Sequence, residues 1–147
     1  MIVVGGGPAG CTAAAAAARE GAKTLLVEAT GSLGGMGTGG LVPAWCPFSD
    51  KEKIIYRGLA QTVLDRCKAG MPHVADDATD WVPIDPELLK RIYDDLVTEY
   101  GTDVLFNSLL CGVGAPGKEC VAVQLGDATG PATDCTFMAC RIRKTPL

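Results

Sequence analysis

The chain has 147 residues, 48% hydrophobic and 20% charged, with a formal net charge of −4. That is one domain's length, with enough apolar material for a core and too little charge for a disordered chain. Its 13 basic residues are scattered among 17 acidic ones, so no phosphate-tracking patch forms and nucleic acid is excluded as an expected partner. Gly (19) and Pro (9) make up about a fifth of the chain, against roughly 12% in an average protein. Many glycines cluster in the first 40 residues, a concentration suited to backbone that approaches something closely. Seven cysteines with no C-x-x-C pair, beside a single histidine, give no zinc template, and no metal centre is expected. The cysteines read as small apolar residues in a reducing compartment.

The first element is Ile2-Val3-Val4, an apolar run ending in glycines, which reads as a buried parallel strand. The run from Ile2 to Ala18 lacks a basic start and is broken by Gly5, Gly6, Gly7, Pro8 and Gly10, so neither a signal peptide nor a membrane span is expected. A cytoplasmic chain is expected. Cys11 to Glu20 is almost all alanine and stops at Gly21, a helix thin enough to pack close to a sheet. Lys23 to Val27 is a second strand with Glu28 at its end, completing a βαβ unit. Ala29 to Phe48 is a long Gly-rich loop without periodicity, a length usually tied to function. Ser49-Asp50-Lys51-Glu52 fits a capping box, and Ile55, Leu59, Val63 and Cys67 share one face of a second helix that ends at Gly70. Met71 to Pro83 reads as a polar excursion. Asp85-Pro86 starts a third helix, lined by Leu88, Leu89, Ile92, Leu96 and Val97 and stopped by Gly101. Asp103 to Leu110 is strand-like. Val121–Leu125 and Cys135–Cys140 are two more strands, with turns expected at Gly114–Gly117 and Gly126–Pro131. No internal repeat or heptad occurs.

The chemistry is concentrated in Gly5-Gly6-Gly7-Pro8-Ala9-Gly10. G-x-G-x-x-G is weak alone, but here it follows a strand, opens a helix and precedes by 18 residues the acid Glu28. Gly5 permits the sharp turn, Gly7 lets backbone meet a pyrophosphate, and Gly10 lets helix and strand close together. The helix N-terminus then offers N–H groups and a positive dipole end to the phosphates. Glu28 is placed to accept hydrogen bonds from ribose hydroxyls, and its charge disfavours a 2′-phosphate.

Val3-Val4-Gly5-Gly6-Gly7-Pro8-Ala9-Gly10, the Ala-rich helix, Gly21 to Glu28, Leu33-Gly34-Gly35-Met36 and Thr38-Gly39-Gly40-Leu41-Val42 resemble the N-terminal part of the FAD-dependent oxidoreductases, the broad group related to the fumarate reductase flavoproteins. The resemblance is specific over residues 1–42, looser to Leu110 and compositional beyond. It implies an α/β, Rossmann-like FAD/NAD(P)-binding domain, a parallel sheet with helices plus a small β-meander, spanning residues 1–147. It implies FAD as cofactor, with Gly5, Gly7, Pro8, Ala9 and Gly10 at the ADP half, Glu28 and Ala29 at the ribose, and Gly34, Gly35, Met36 and Thr38 running past the pyrophosphate toward the flavin. Leu110 matches the position that contacts adenine through its backbone. In the family the chain returns to the flavin through a strand ending in a D-A-T-G-D-like segment and adds a substrate domain. Here Arg141 to Leu147 follow the last strand, and Asp127-Ala128-Thr129-Gly130 reads as a turn. The domain is therefore expected to be truncated at its C-terminal end, without a substrate domain, and inactive by itself.

No catalytic acid, base or substrate clamp is assigned. Cys46 lies beyond the Gly-rich loop, where a redox thiol is the sharper reading and packing or plain exposure the blander one. His73 reads as a surface residue, Trp45 and Trp81 as core or interface aromatics, and Asp76, Asp77 and Asp80 as a solvated face without the spacing of a calcium loop. Two other readings stay open: an NAD-binding module, which uses the same cradle, and a non-catalytic flavoprotein fragment. A small-molecule substrate and self-association through an uncovered edge are further expectations.

Overall fold

A computed structural model describes the backbone of residues 1–117, 120–127 and 136–141 and the side chains of residues 1–110. The chain opens with strand β1 (Ile2–Val4), helix α1 (Pro8–Arg19) and strand β2 (Leu25–Val27). β1 and β2 run parallel, with Ile2 opposite Leu25 and Val4 opposite Val27. Helices α2 (Leu59–Ala69) and α3 (Pro86–Glu99) follow, and then strand β3 (Asp103–Leu105), parallel to β2 with Leu26 opposite Val104. The order β1-β2-β3 is that of a parallel Rossmann-type sheet. The remaining strands β4 (Ser108–Gly117), β5 (Cys120–Asp127) and β6 (Thr136–Arg141) form a separate antiparallel meander.

Strand alternation sorts the side chains onto two faces. Leu26, with Val3 and Val104, joins a core built from Cys11, Ala14, Ala15, Val63, Leu64, Leu89, Tyr93 and Leu96 of the three helices. Ile2, Leu25 and Val27 point the other way and meet Leu110 of the meander. The alanines explain the closeness of α1: Ala14 and Ala15 are wholly buried. The Thr102 hydroxyl donates to the Ala14 carbonyl at 3.3 Å, tying α1 to the start of β3. Asp85 caps α3 by accepting from the N–H groups of Glu87 and Leu88, each at 3.0 Å, with Pro86 in the first turn as the sequence indicates.

Several boundaries differ from expectation. The capping box at Ser49 does not open a helix. The Ser49 hydroxyl accepts from the Lys51 N–H, and the Asp50 carboxylate accepts from those of Glu52 and Lys53, closing a tight turn instead. Lys51 sits at φ 79°, outside helical space, and α2 begins only after Gly58. Ile55 is consequently exposed, while Val63 and Cys67 hold the buried face expected of them. Asp80 is not part of a solvated face: it is half-buried and accepts from the Ser49 N–H (3.2 Å) and hydroxyl (2.9 Å). The excursion from Met71 to Pro83 is thereby bound to the loop before α2, and an isolated bridge pairs Ala44 with Pro83. The strand-like run from Asp103 is two strands, broken at Asn107, whose φ is 52°. Gly114–Gly117 is no turn: these residues belong to β4, whose register shifts between Gly114 and Gly117. The turn expected at Gly126–Pro131 falls largely outside the described residues, as do residues 128–130 of the Asp127-Ala128-Thr129-Gly130 string.

Candidate nucleotide site

The turn between β1 and α1 is shaped by its glycines. Gly5 adopts φ 94°, a left-handed conformation that side chains disfavour, and its N–H donates to the Val27 carbonyl at 2.8 Å. A Cβ on Gly10 would stand 1.7 Å from the Gly5 carbonyl oxygen, so only glycine lets α1 approach the strand this closely. A Cβ on Gly7, as on Gly5, would meet nothing within 4 Å. The protein leaves open space at the position the fingerprint assigns to pyrophosphate contact. Gly7 is also the N-cap of α1; no side chain caps the helix and its first turn carries no acid. Its first-turn N–H groups and positive dipole end are therefore available to an anion. Pro8, Ala9 and Gly10 form that first turn, with Pro8 and Ala9 exposed.

The second glycine segment is brought to the first. Gly34 donates its N–H to the Gly6 carbonyl at 2.8 Å. A Cβ on Gly35 would lie 3.1 Å from the Gly7 Cα. Gly35 to Gly37 make a short 3-10 turn from which Met36 projects, 67% exposed. Thr38 instead is buried, its hydroxyl donating to the Leu33 carbonyl at 2.7 Å.

Glu28 stands at the end of β2, half-buried. Its carboxylate accepts from the Gly6 N–H at 2.5 Å and from the Thr30 N–H and hydroxyl, each at 2.7 Å. Burial pushes its pKa up, but the Thr30 hydroxyl and the N–H groups of Thr30 and Gly6 together outweigh burial and hold it below 4.5. A carboxylate has about four lone-pair sites, so three protein donors leave room for one hydroxyl. Ala29 is exposed beside it. The start of β4 closes the same end: Ser108 donates its N–H to the Glu28 carbonyl at 3.0 Å, and Asn107 to that of Thr30 at 3.1 Å. Leu110 lies two residues further along β4, its side chain against Val27.

The sequence reading missed Gly6, Thr30 and Asn107 as parts of this site. A Thr two residues after the strand-end acid is a readable signal, since Ser and Thr hydroxyls commonly bond locally. Asn107 carried none beyond the tolerance of Asn for positive φ. Cys11 is buried under the cradle with its thiol donating to the Gly6 carbonyl at 3.1 Å, and burial pushes its pKa up to about 12. Cys46 and His73 are both exposed. Among the described residues no group of three or more His, Cys, Asp or Glu is placed to hold a metal ion, and no helix is long and apolar enough to cross a membrane.

Parallel sheet, open glycine cradle and strand-end acid together define a dinucleotide-binding fold. Residues 1–138 match the model of the FAD dependent oxidoreductase family, to which the chain belongs, and FAD is its cofactor. The fold is similar to that of a flavoprotein/dehydrogenase from Cytophaga hutchinsonii, at 17% identity and TM-score 0.63, over 94% of this chain and 36% of that one. It is similar also to CabE, an aromatic hydroxylase from angucycline biosynthesis, at 17% identity and TM-score 0.60, over 95% of this chain and 29% of that one. Lactococcus lactis thioredoxin reductase matches at 18% identity and TM-score 0.51, over 95% of this chain and 32% of that one. The chain thus spans about a third of the length of these solved structures.

Proposed function

We propose that residues 1–147 are the FAD-binding domain of an FAD-dependent oxidoreductase, holding the ADP half of the cofactor in the cradle where the two glycine segments cross. Bound FAD supplies hydride or electron transfer, with a small-molecule substrate held by parts of the protein beyond this domain. In this reading Gly5, Gly7, Pro8, Ala9 and Gly10 seat the pyrophosphate on the N-terminus of α1, and Glu28 and Ala29 meet the ribose. Gly34, Gly35 and Met36 border the path toward the flavin, and Leu110 borders the adenine. A cytoplasmic location suits its composition.

One observation carries this reading: the space beyond Gly7, empty of any protein atom within 4 Å of a Cβ there, beside the uncapped first turn of α1. The fit is chemical as well as steric, because that end of the helix favours a diphosphate, and the neighbouring carboxylate is ionised and short of one donor. The test is titration of the purified chain with FAD, followed by flavin fluorescence and visible absorption, with ADP and NAD as competitors. Saturable binding of FAD that ADP displaces is expected. Binding of NAD in preference to FAD would point to a nicotinamide module, and no binding of either would remove the cradle from the argument.

A further inference from the structure

We infer that Thr38 is a positioning residue for the nucleotide cradle, the strut that holds the second glycine segment against the first. The inference rests on reading that crossing as the pyrophosphate seat. Threonines on the helices bond within their own turn: Thr12 donates to the Pro8 carbonyl and Thr98 to that of Asp94, each four residues back. Such bonds add little and fix nothing beyond the local turn. Thr38 reaches five residues back to the Leu33 carbonyl at 2.7 Å, across both glycines of the doublet, and it does so from a buried position. Its hydroxyl also lies 3.2 Å from the Gly35 carbonyl.

The methyl group does a second job. A Cβ on Gly34 would lie 2.4 Å from Thr38 Cγ2, so the methyl occupies the space that the missing side chain leaves. Thr38 therefore determines where Gly34 and Gly35 stand. Gly34 in turn donates to the Gly6 carbonyl, and Gly35 abuts Gly7, so the strut sets the spacing of the two backbones that flank the open space. Loss of the hydroxyl leaves the Leu33 carbonyl without that donor inside a buried segment, a cost the loop escapes by shifting.

The proposal separates two variants. Thr38→Val keeps the shape and removes the bond; Thr38→Ser keeps the bond and removes the methyl. Hydrogen exchange of the nucleotide-free protein reports the Gly34 N–H directly, and FAD titration reports the seat. Thr38→Val is expected to raise the FAD Kd by about tenfold, the equivalent of one lost hydrogen bond. It is expected to speed exchange at Gly34 and Gly40 while leaving Leu89 and Leu96 of α3 unchanged, and Thr38→Ser, which keeps the bond and loses only the methyl packing, is expected to bring both readouts most of the way back to wild type. Wild-type affinity and wild-type exchange in Thr38→Val would overturn the proposal. So would a uniform rise in exchange throughout the protein that Thr38→Ser fails to repair, since that marks a residue of general stability only. If the wild-type chain takes no FAD, the nucleotide reading fails separately. The Gly34 exchange then decides the strut: acceleration in Thr38→Val upholds it and an unchanged rate refutes it.

Discussion

Gly7 and Gly10, three residues apart, do different work, and substitution distinguishes them. Gly10 is needed by the fold, because a Cβ there would overlap the Gly5 carbonyl at 1.7 Å. Gly10→Ala is expected to cost about 3 kcal/mol or more of stability, the upper range for forced overpacking, read as a shifted denaturation midpoint. Gly7 is needed by the ligand: Gly7→Val has open space for its side chain and is expected to fold with a near wild-type midpoint while losing FAD. Equal FAD affinity in this variant would detach the cradle from nucleotide binding. Glu28 serves both ends, since its carboxylate holds the Gly6 N–H and retains capacity for a ribose hydroxyl. Glu28→Ala is expected to weaken FAD or ADP by about 1.5–3 kcal/mol, the range for a hydrogen bond to a charged group. Its pH signature follows from a folded pKa held below 4.5. Between the two values the unfolded chain binds the proton and the folded chain does not, so Glu28 stabilises above the unfolded value and that contribution is lost as pH falls through the folded one. An acid titration of stability in Glu28→Gln should be flatter in that window, and an unchanged acid limb would mean that the Gly6 and Thr30 bonds are not held in solution.

At the scale of elements, the buried faces of α1 and α2 each carry a thiol. Burial pushes Cys11 and Cys67 from 9.0 up to about 12. Above pH 9.0 the unfolded chain ionises these thiols and the folded chain does not, so stability declines through this range at up to about 1.4 kcal/mol per pH unit for each. Cys67→Ala is expected to lower stability at neutral pH and to flatten the alkaline decline; a decline of wild-type steepness would show the thiol is not buried. Iodoacetamide with peptide mapping gives the complement: Cys46 labels in the native protein, whereas Cys11 and Cys67 label only on unfolding. How far the elements were legible depends on where their determinants lie. α1 and α3 were readable because their signals are local: a glycine turn into alanines, and Asp85-Pro86 ahead of a regular apolar face. The start of α2 was not, because Ser49 and Asp50 offer the same side-chain oxygens to a helix or to a tight turn. The choice is made by Asp80, 30 residues after Asp50, which bonds Ser49 from the excursion. The break at Asn107 was hidden for a similar reason, since it serves the crossing from the parallel sheet to the meander. At the site, the fingerprint gave the turn and the acid, while the contact between the two glycine segments is a tertiary fact that spacing does not encode.

For the whole molecule, the groups suited to a ligand are gathered at one end. The open N-terminus of α1, Glu28 and the start of β4 stand at the end proposed to hold the adenosine and pyrophosphate half. On the path proposed to run toward the flavin the chain instead exposes apolar side chains, Met36 at 67% and Leu41 at 71%. The chain spans about a third of the solved flavoproteins it matches, so the enclosure of a flavin ring is not something these residues need supply alone. An isoalloxazine ring left against one open face gains little buried area, and affinity follows enclosure. A protein of these 147 residues is therefore expected to bind ADP and FAD with Kd values within about tenfold of each other, far closer than an enclosed ring would allow. Turnover is a stricter requirement, because a donor must be held over the ring in a water-poor site. None is expected with excess FAD present. Nucleotide should still stabilise the fold by mass action, by about 2.7 kcal/mol at a hundredfold excess over Kd, and ADP should do so nearly as well as FAD. Calorimetric titration with both ligands, thermal denaturation with each, and anaerobic reduction assays with candidate donors measure all three. A yellow protein that retains stoichiometric flavin through purification, ignores ADP and reduces its flavin at a donor's expense would refute the argument. It would place the enclosure of the ring within these residues or in a second copy of the chain.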